Sequence, residues 1–176
     1  GDKISSISGI FSGTLSWLFG QFDGNKPFSE LVQEALSLGL TEPDPREDLS
    51  GRDVQRKLLI LARSAGYQLS LDDILVENLV PEQLRDVDLS AFLERASELD
   101  EYFASSLANA KEQNGCIRYV AKFSVVDQRI VAEVKLATLP DKHAFANLTP
   151  CDNIFQVESL WYQTNPLIIR GPGAGR

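Results

Sequence analysis

The hydrophobic period of this chain changes to two at Cys116, and the change restricts its fold more than any other feature. In the helical segments before it the apolar residues recur at three- and four-residue steps, the spacing of one helix face. From Cys116 they alternate: Ile117, Tyr119, Ala121, Phe123 and Val125 share one side, and Arg118, Lys122 and Ser124 the other. Asp127-Gln128 is short enough for a hairpin turn, although it lacks the favoured glycine. The return strand runs to about Leu139, with Ile130, Ala132, Val134 and Leu136 on one side. Further strands are expected at residues 4–12, 153–162 and 167–170. Strand, helices, then mostly strands indicates α+β, a predominantly antiparallel or mixed sheet with helices packed on one face. The other face is left for a partner, and Trp161 and Tyr162 suit an interface as well as a core.

Within the helical part, Ser12-Gly13-Thr14 leads into Leu15, Leu18, Phe19 and Phe22; Gly13 permits the turn and Thr14 is the expected cap. Amides at such a start attract carboxylates or phosphates, but the lysine and spacing of a phosphate loop are missing. Residues 23–27 form a turn. The next helix places Phe28, Leu31, Val32, Ala35 and Leu36 on one face and ends at Gly39. A short strand is expected at 74–80, stopped by Pro81. The longest helical pattern spans 90–113. Its buried stripe is Phe92, Ala96, Leu99, Phe103, Leu107 and Ala110; Glu94, Glu98, Asp100 and Glu101 are the solvated face, and Gly115 the terminator. These segments read as core.

Composition narrows the function. At 176 residues the chain fits one domain able to bury about 70% of its extended surface. A net charge of −8 without any basic run argues against a nucleic-acid partner. No apolar segment is long enough to cross a bilayer and no signal-peptide pattern opens the chain, so no membrane partner and a cytoplasmic location are expected. Cys116 and Cys151 lack metal spacing and His143, in a loop at 140–152, reads as a lone solvated histidine, so no metal site is expected. Asn147-Leu148-Thr149 matches a glycosylation acceptor, read as a chance match without a secretory signal. Both ends read as cut from a longer polypeptide, since the chain starts at a strand-like run and stops at GPGAGR.

Residues 40–67, LTEPDPREDLSGRDVQRKLLILARSAGY, carry the chemistry. Acids set between Pro43 and Pro45 form a stiff connector, because proline fixes its own φ and biases its predecessor toward extended geometry. A helix follows from Ser50 or Gly51 to Gly66, with Val54, Leu58, Leu61 and Ala65 as its buried stripe. Arg52, Arg56 and Arg63 lie opposite; Asp53, Lys57, Ile60 and Ser64 flank the stripe on one edge. A lysine thus sits at a core margin, one turn from a carboxylate and beside an acidic loop. The bland alternative is a solvated i, i+4 pair worth roughly 0.3–0.5 kcal/mol.

GIFSGTLSWLFGQF at 9–22, TEPDPREDLSGRDVQRKL at 41–58 and NPLIIRGPGAGR at 165–176, in this order and spacing, resemble homoserine dehydrogenase over essentially the whole chain. The wording of WLFGQFDG, TPCDNIF and IIRGPGAGR is most similar to the dehydrogenase half of the bifunctional aspartokinase/homoserine dehydrogenases of the methionine branch. The resemblance implies NAD- or NADP-dependent interconversion of L-aspartate 4-semialdehyde and L-homoserine. It makes residues 1–176 the substrate-binding, catalytic and dimerisation domain, a homodimer through the sheet. No strand–GxGxxG–helix unit is present, so the Rossmann nucleotide-binding domain is expected outside this chain.

By the same resemblance, Lys57 is the proton donor and Asp53 the acid beside it that contacts the substrate. Glu42 holds the substrate's amino group, Asp48 is a further acid lining the site, and Gly13, Thr14 and Gly39 line the pocket mainly through backbone. Gly175 matches a glycine near the cofactor. Leu40 departs from the family, many of whose members carry tyrosine there. A second family lysine belongs to the nucleotide domain. Three roles stay open: part of a dehydrogenase, a dimerisation module without catalysis, and a homoserine-binding module.

Overall fold

The computed structural model describes residues 1–173. Strand β1 (Ile4–Ile10) leads into helices α1 (Gly13–Gln21), α2 (Phe28–Ser37), α3 (Pro45–Leu49) and α4 (Arg52–Ser64). Strand β2 (Ile74–Val76), helices α5 (Leu89–Glu94) and α6 (Asp100–Glu112), and strands β3 (Gly115–Val126), β4 (Arg129–Pro140), β5 (Asp152–Ser159) and β6 (Leu167–Pro172) follow. The six strands described form one sheet in the order β2-β4-β3-β1-β5-β6. Every pairing is antiparallel except β2 with β4, where Ile74 lies opposite Ala132. The sheet is mixed, and the α+β reading is right.

Alternation sorts the strands into two faces. Ile7, Phe123, Ala121, Tyr119, Ala132, Val134 and Ile74 point into the main core with Leu15, Leu18, Phe19, Val54, Leu58, Phe103 and Leu107 of the helices. Burying each such side chain stabilises the fold by roughly 1.5–3 kcal/mol. Phe28 stacks on Phe103 with ring centroids 3.8 Å apart and lies 5.3 Å from Phe19, closing the core at the α1–α2–α6 contact. On the opposite face, Ile10 and Ile154 pack with Phe145, a residue of the loop after β4. The rest of that face mixes polar residues, among them Lys122, Ser124, Glu133 and Lys135, with exposed Val131 and Ile168.

Several local expectations change. Ser12, not Thr14, caps α1: its hydroxyl accepts the Leu15 amide at 3.2 Å, while the Thr14 hydroxyl donates to the Leu40 carbonyl. The pattern at 90–113 is broken by a 3-10 turn at Ala96–Leu99, although its apolar stripe is buried throughout. Asp100, expected in solvent, instead takes the Ser29 amide and hydroxyl, both at 2.8 Å, which ties α6 to the start of α2. Asn114, at φ 54°, takes the left-handed turn assigned to Gly115, which begins β3 with its Cα against the Leu139 carbonyl. The strand expected over 74–80 is a three-residue ladder, and β5 stops at Ser159, leaving Trp161 77% exposed in the turn beyond. Asp127 and Gln128 both adopt positive φ (49° and 66°), so the hairpin is made without glycine. His143 is half-buried rather than solvated. Its Nδ1 accepts the Phe145 amide at 3.0 Å, its ring lies edge-on to Phe145, and burial pushes its pKa down.

Candidate active site

Three chain segments of the helical half, together with β5 and Gly173 after β6, build a cleft of about 540 Å³ at the edge of the helical layer. The first is Ser12-Gly13-Thr14, where the chain leaves β1 and winds into α1. Such a start concentrates partial positive charge and suits a carboxylate. The second is the proline-braced connector with α3. Asp44 caps α3 by accepting the Arg46 amide at 3.0 Å, and Pro45 occupies the first turn, where a missing N–H costs nothing. The connector is therefore partly helical, not only extended. Arg46 holds it down, clasping the Asp44 carboxylate at 2.7 Å and donating to the carbonyls of Leu84 and Val87. Those contacts hold the Asp44 carboxyl below its ordinary range, the Arg46 side-chain bonds first and its charge adding to them.

The third segment is α4. It begins at Gly51, whose φ of +78° and close approach to Tyr119 exclude any side chain: a Cβ would lie 2.0 Å from the Tyr119 hydroxyl. The buried stripe is Val54, Leu58, Leu59 and Ala62, not Val54, Leu58, Leu61 and Ala65. The sheet is met along the i, i+4 row, so Leu61 turns to the margin and lines the cleft with Ile60. Arg52, Arg56 and Arg63 are exposed, as their spacing requires.

Lys57 lies at the junction of these segments. Its Nζ donates to the Phe11 carbonyl at 2.9 Å and pairs with Asp53 Oδ2 at 2.8 Å. The Lys57 side chain is 45% exposed and that of Asp53 65%, so the pair is open to a ligand on the cleft side. Asp48, half-buried, accepts the Glu42 amide at 2.9 Å, a bond that shapes the connector. Burial pushes the Asp48 pKa up; the Glu42 amide and Thr14 hydroxyl oppose this, and the Glu42 charge adds to it.

Of the residues singled out from sequence, Gly13, Thr14, Glu42, Asp48, Asp53 and Lys57 all line this one cleft. Gly39 does not. It ends α2 in the left-handed conformation (φ +71°), one residue before Leu40, whose carbonyl takes the Thr14 hydroxyl. Gly175 lies outside the described residues. Sequence reasoning missed the facing wall, Asn153, Phe155 and Gly173. These belong to β5 and the end of β6, and only strand pairing brings them here: Asn153 lies opposite Gly171. Asn153 is unusual, because its buried Oδ1 meets no hydrogen-bond partner among the described residues. Among those residues no three His, Cys, Asp or Glu side chains converge as metal ligands, and no helix is long and apolar enough to cross a membrane.

Two carboxylates on a fixed loop, a helix start, and a lysine held against a third carboxylate have the chemistry to hold a small zwitterion beside an acid–base group. The comparisons give the class a family. The homoserine dehydrogenase family model matches residues 1–176, and the chain belongs to that family. It is 54% identical over 176 residues to the bifunctional aspartokinase/homoserine dehydrogenase 2 of Escherichia coli (strain K12), covering 100% of this chain and 21% of that protein. To a homoserine dehydrogenase of Emericella nidulans it is 40% identical, covering 99% of this chain and 50% of the relative. A solved homoserine dehydrogenase from Thiobacillus denitrificans shares the fold, with a TM-score of 0.79 at 23% identity over 99% of this chain and 36% of that one. A Candida auris protein of unknown function superposes with a TM-score of 0.93 at 38% identity, over 99% of this chain and 50% of that one.

Proposed function

We propose that this chain is the substrate-binding, catalytic and dimerisation part of a homoserine dehydrogenase, interconverting L-aspartate 4-semialdehyde and L-homoserine. Its nucleotide-binding domain is supplied by polypeptide outside these residues. The observation that carries this reading is the placing of Lys57, bound to both Asp53 and the Phe11 carbonyl in the same cleft as Glu42 and Asp48.

Glu42 and Asp48 hold the substrate's ammonium, and the amides at the start of α1, from Gly13 and Thr14, face its carboxylate. Gly39 supports that start from behind, through the Leu40–Thr14 contact. Held at both ends, the substrate presents its side-chain oxygen to Lys57. In reduction the ammonium of Lys57 gives a proton to that oxygen as the alcohol forms; in oxidation the neutral amine takes the hydroxyl proton back. Asp53 and the Phe11 carbonyl fix the position of the amine. NAD or NADP, when bound, supplies or accepts the hydride. The Asn153 amide oxygen, which meets no partner among the described residues, half-buried Phe155 and Gly173 fit such a group; Gly175, a cofactor glycine by the family resemblance, lies outside the described residues.

Turnover tests this in the protein joining this chain to its nucleotide domain. Lys57→Ala should lower kcat by about a hundredfold or more, the usual scale of a positioned acid–base group, with the dinucleotide affinity unchanged. Normal turnover by the variant would overturn the assignment.

A further inference from the structure

The wall of the cleft opposite the acids has no role in holding the amino acid, and its chemistry is different. It is built from Asn153, Phe155 and Gly173, with Ile60 completing it from α4. Two features there are costly unless something covers them. Ile60 is 62% exposed although it sits one turn from Lys57 on the cleft side of α4. Asn153 buries an amide oxygen that no described residue satisfies, and leaving such an acceptor dry and unpaired costs about 1–3 kcal/mol. Gly173 lies directly beside this amide, since a Cβ built on it would stand 3.4 Å from Asn153 Nδ2.

An acceptor and a donor side by side, next to an aromatic ring and an exposed aliphatic chain, match a flat ring that carries its own carboxamide. A primary amide offers the complementary donor and acceptor, and its ring offers faces for Phe155 and Ile60. A charged amino acid is a poor fit, since its ammonium and carboxylate are served by the acids and the start of α1. The geometry of the reaction points the same way. With the substrate's oxygen at Lys57 and its cation on the acidic wall, the hydride partner must approach from the remaining side.

We infer that Asn153 is a contact residue for the carboxamide of the nicotinamide ring, its Oδ1 accepting the amide N–H, with Ile60 and Phe155 flanking the ring. This rests on the dehydrogenase reading and deepens it. Asn153 then sets the face and depth at which the ring meets the substrate.

The test uses the protein with its nucleotide domain joined, and reads binding as well as rate. Dissociation constants for the reduced dinucleotide are measured by its fluorescence, without amino acid, in wild type, Asn153→Leu and Asn153→Ala, with thermal melts to confirm folding. The inference expects roughly tenfold weaker dinucleotide binding in both variants, the scale of one lost hydrogen bond, with L-homoserine binding by calorimetry within about twofold of wild type.

An analogue with a methyl ketone in place of the carboxamide removes the donor from the other side. Wild type should bind it about tenfold more weakly than the parent dinucleotide, and the variants should not discriminate. If instead homoserine binding falls and dinucleotide binding does not, Asn153 belongs to the amino-acid subsite and the inference is wrong. Equal discrimination by wild type and variants overturns it too, making the amide purely structural. Failure of wild type to bind the dinucleotide at all would sink the dehydrogenase reading with it.

Discussion

Asp48 shows how one side chain can serve the fold and the site at once. It shapes the connector by accepting the Glu42 amide, and it lines the cleft, where burial pushes its pKa up. Its folded pKa is raised, so the folded chain holds the proton more tightly than the unfolded one does. The associated stability is fully present below the ordinary carboxylate pKa and is lost as pH rises through the raised value. Asp48→Asn keeps an acceptor for the amide and removes the charge. It should melt with wild type in acid and above wild type at neutral pH. A melting difference that does not vary with pH would show that Asp48 is not desolvated by folding. Lys57 is held by a carboxylate and a carbonyl, with 45% of its side chain exposed. The spacing of TEPDP and of Asp53 and Lys57 marked a stiff acidic connector beside a helical Asp–Lys pair, whereas Asp48 was named only through the family resemblance and its bond to the Glu42 amide carried no signal in the sequence. Asn153 was not marked, because a single asparagine in a strand carries no periodic signal and only the β5–β6 pairing gives it neighbours.

At the scale of elements, the connector depends on Arg46. Its guanidinium reaches four oxygen-bearing groups of two segments, the Asp44 carboxylate and the carbonyls of Leu84, Arg85 and Val87, and lies 5.2 Å from the Phe92 ring, with only 14% of the side chain exposed. Removing it by Arg46→Leu strands the Asp44 carboxylate and the carbonyls of Leu84 and Val87. Urea unfolding should show a loss of about 3 kcal/mol, the scale for breaking a paired, largely buried charge; a loss below about 0.5 kcal/mol would place the connector's rigidity in its prolines alone.

Arg46 was not readable in the sequence as a clasp, since the carbonyls it binds lie about forty residues on. The same limit explains the other element-level differences. Periodicity located the apolar stripe of 90–113 correctly, yet gave no sign that Asp100 would break step to cap α2. It also placed Leu61 in the core of α4, because a helix row drifts and only the sheet beneath decides which row is covered. Hairpin β3–β4, whose register is set by its own two-residue turn, came out as read.

For the whole molecule, the sheet divides the labour. One face carries the helices and so places the cleft; the other, among the described residues, is covered near Ile10 and Ile154 by the loop holding Phe145. Beyond that loop lie Val131, 49% exposed, and β6, where Leu167, Ile168 and Ile169 are 40–55% exposed at a sheet edge. Exposed edges and half-apolar faces invite pairing, in keeping with the proposed homodimer through the sheet. Light scattering should give a dimer that Ile168→Lys together with Val131→Lys converts to monomer; a strict monomer for the unmodified chain at high concentration would contradict it.

The central claim is that the acids of the connector and Lys57 hold one amino acid between them. Calorimetric titration of L-homoserine into this chain and into Glu42→Ala tests it most directly. Saturable binding by the first and at least about tenfold weaker binding by the second, the cost of one lost charge-assisted contact, is the predicted result. Equal affinity in both proteins would contradict it.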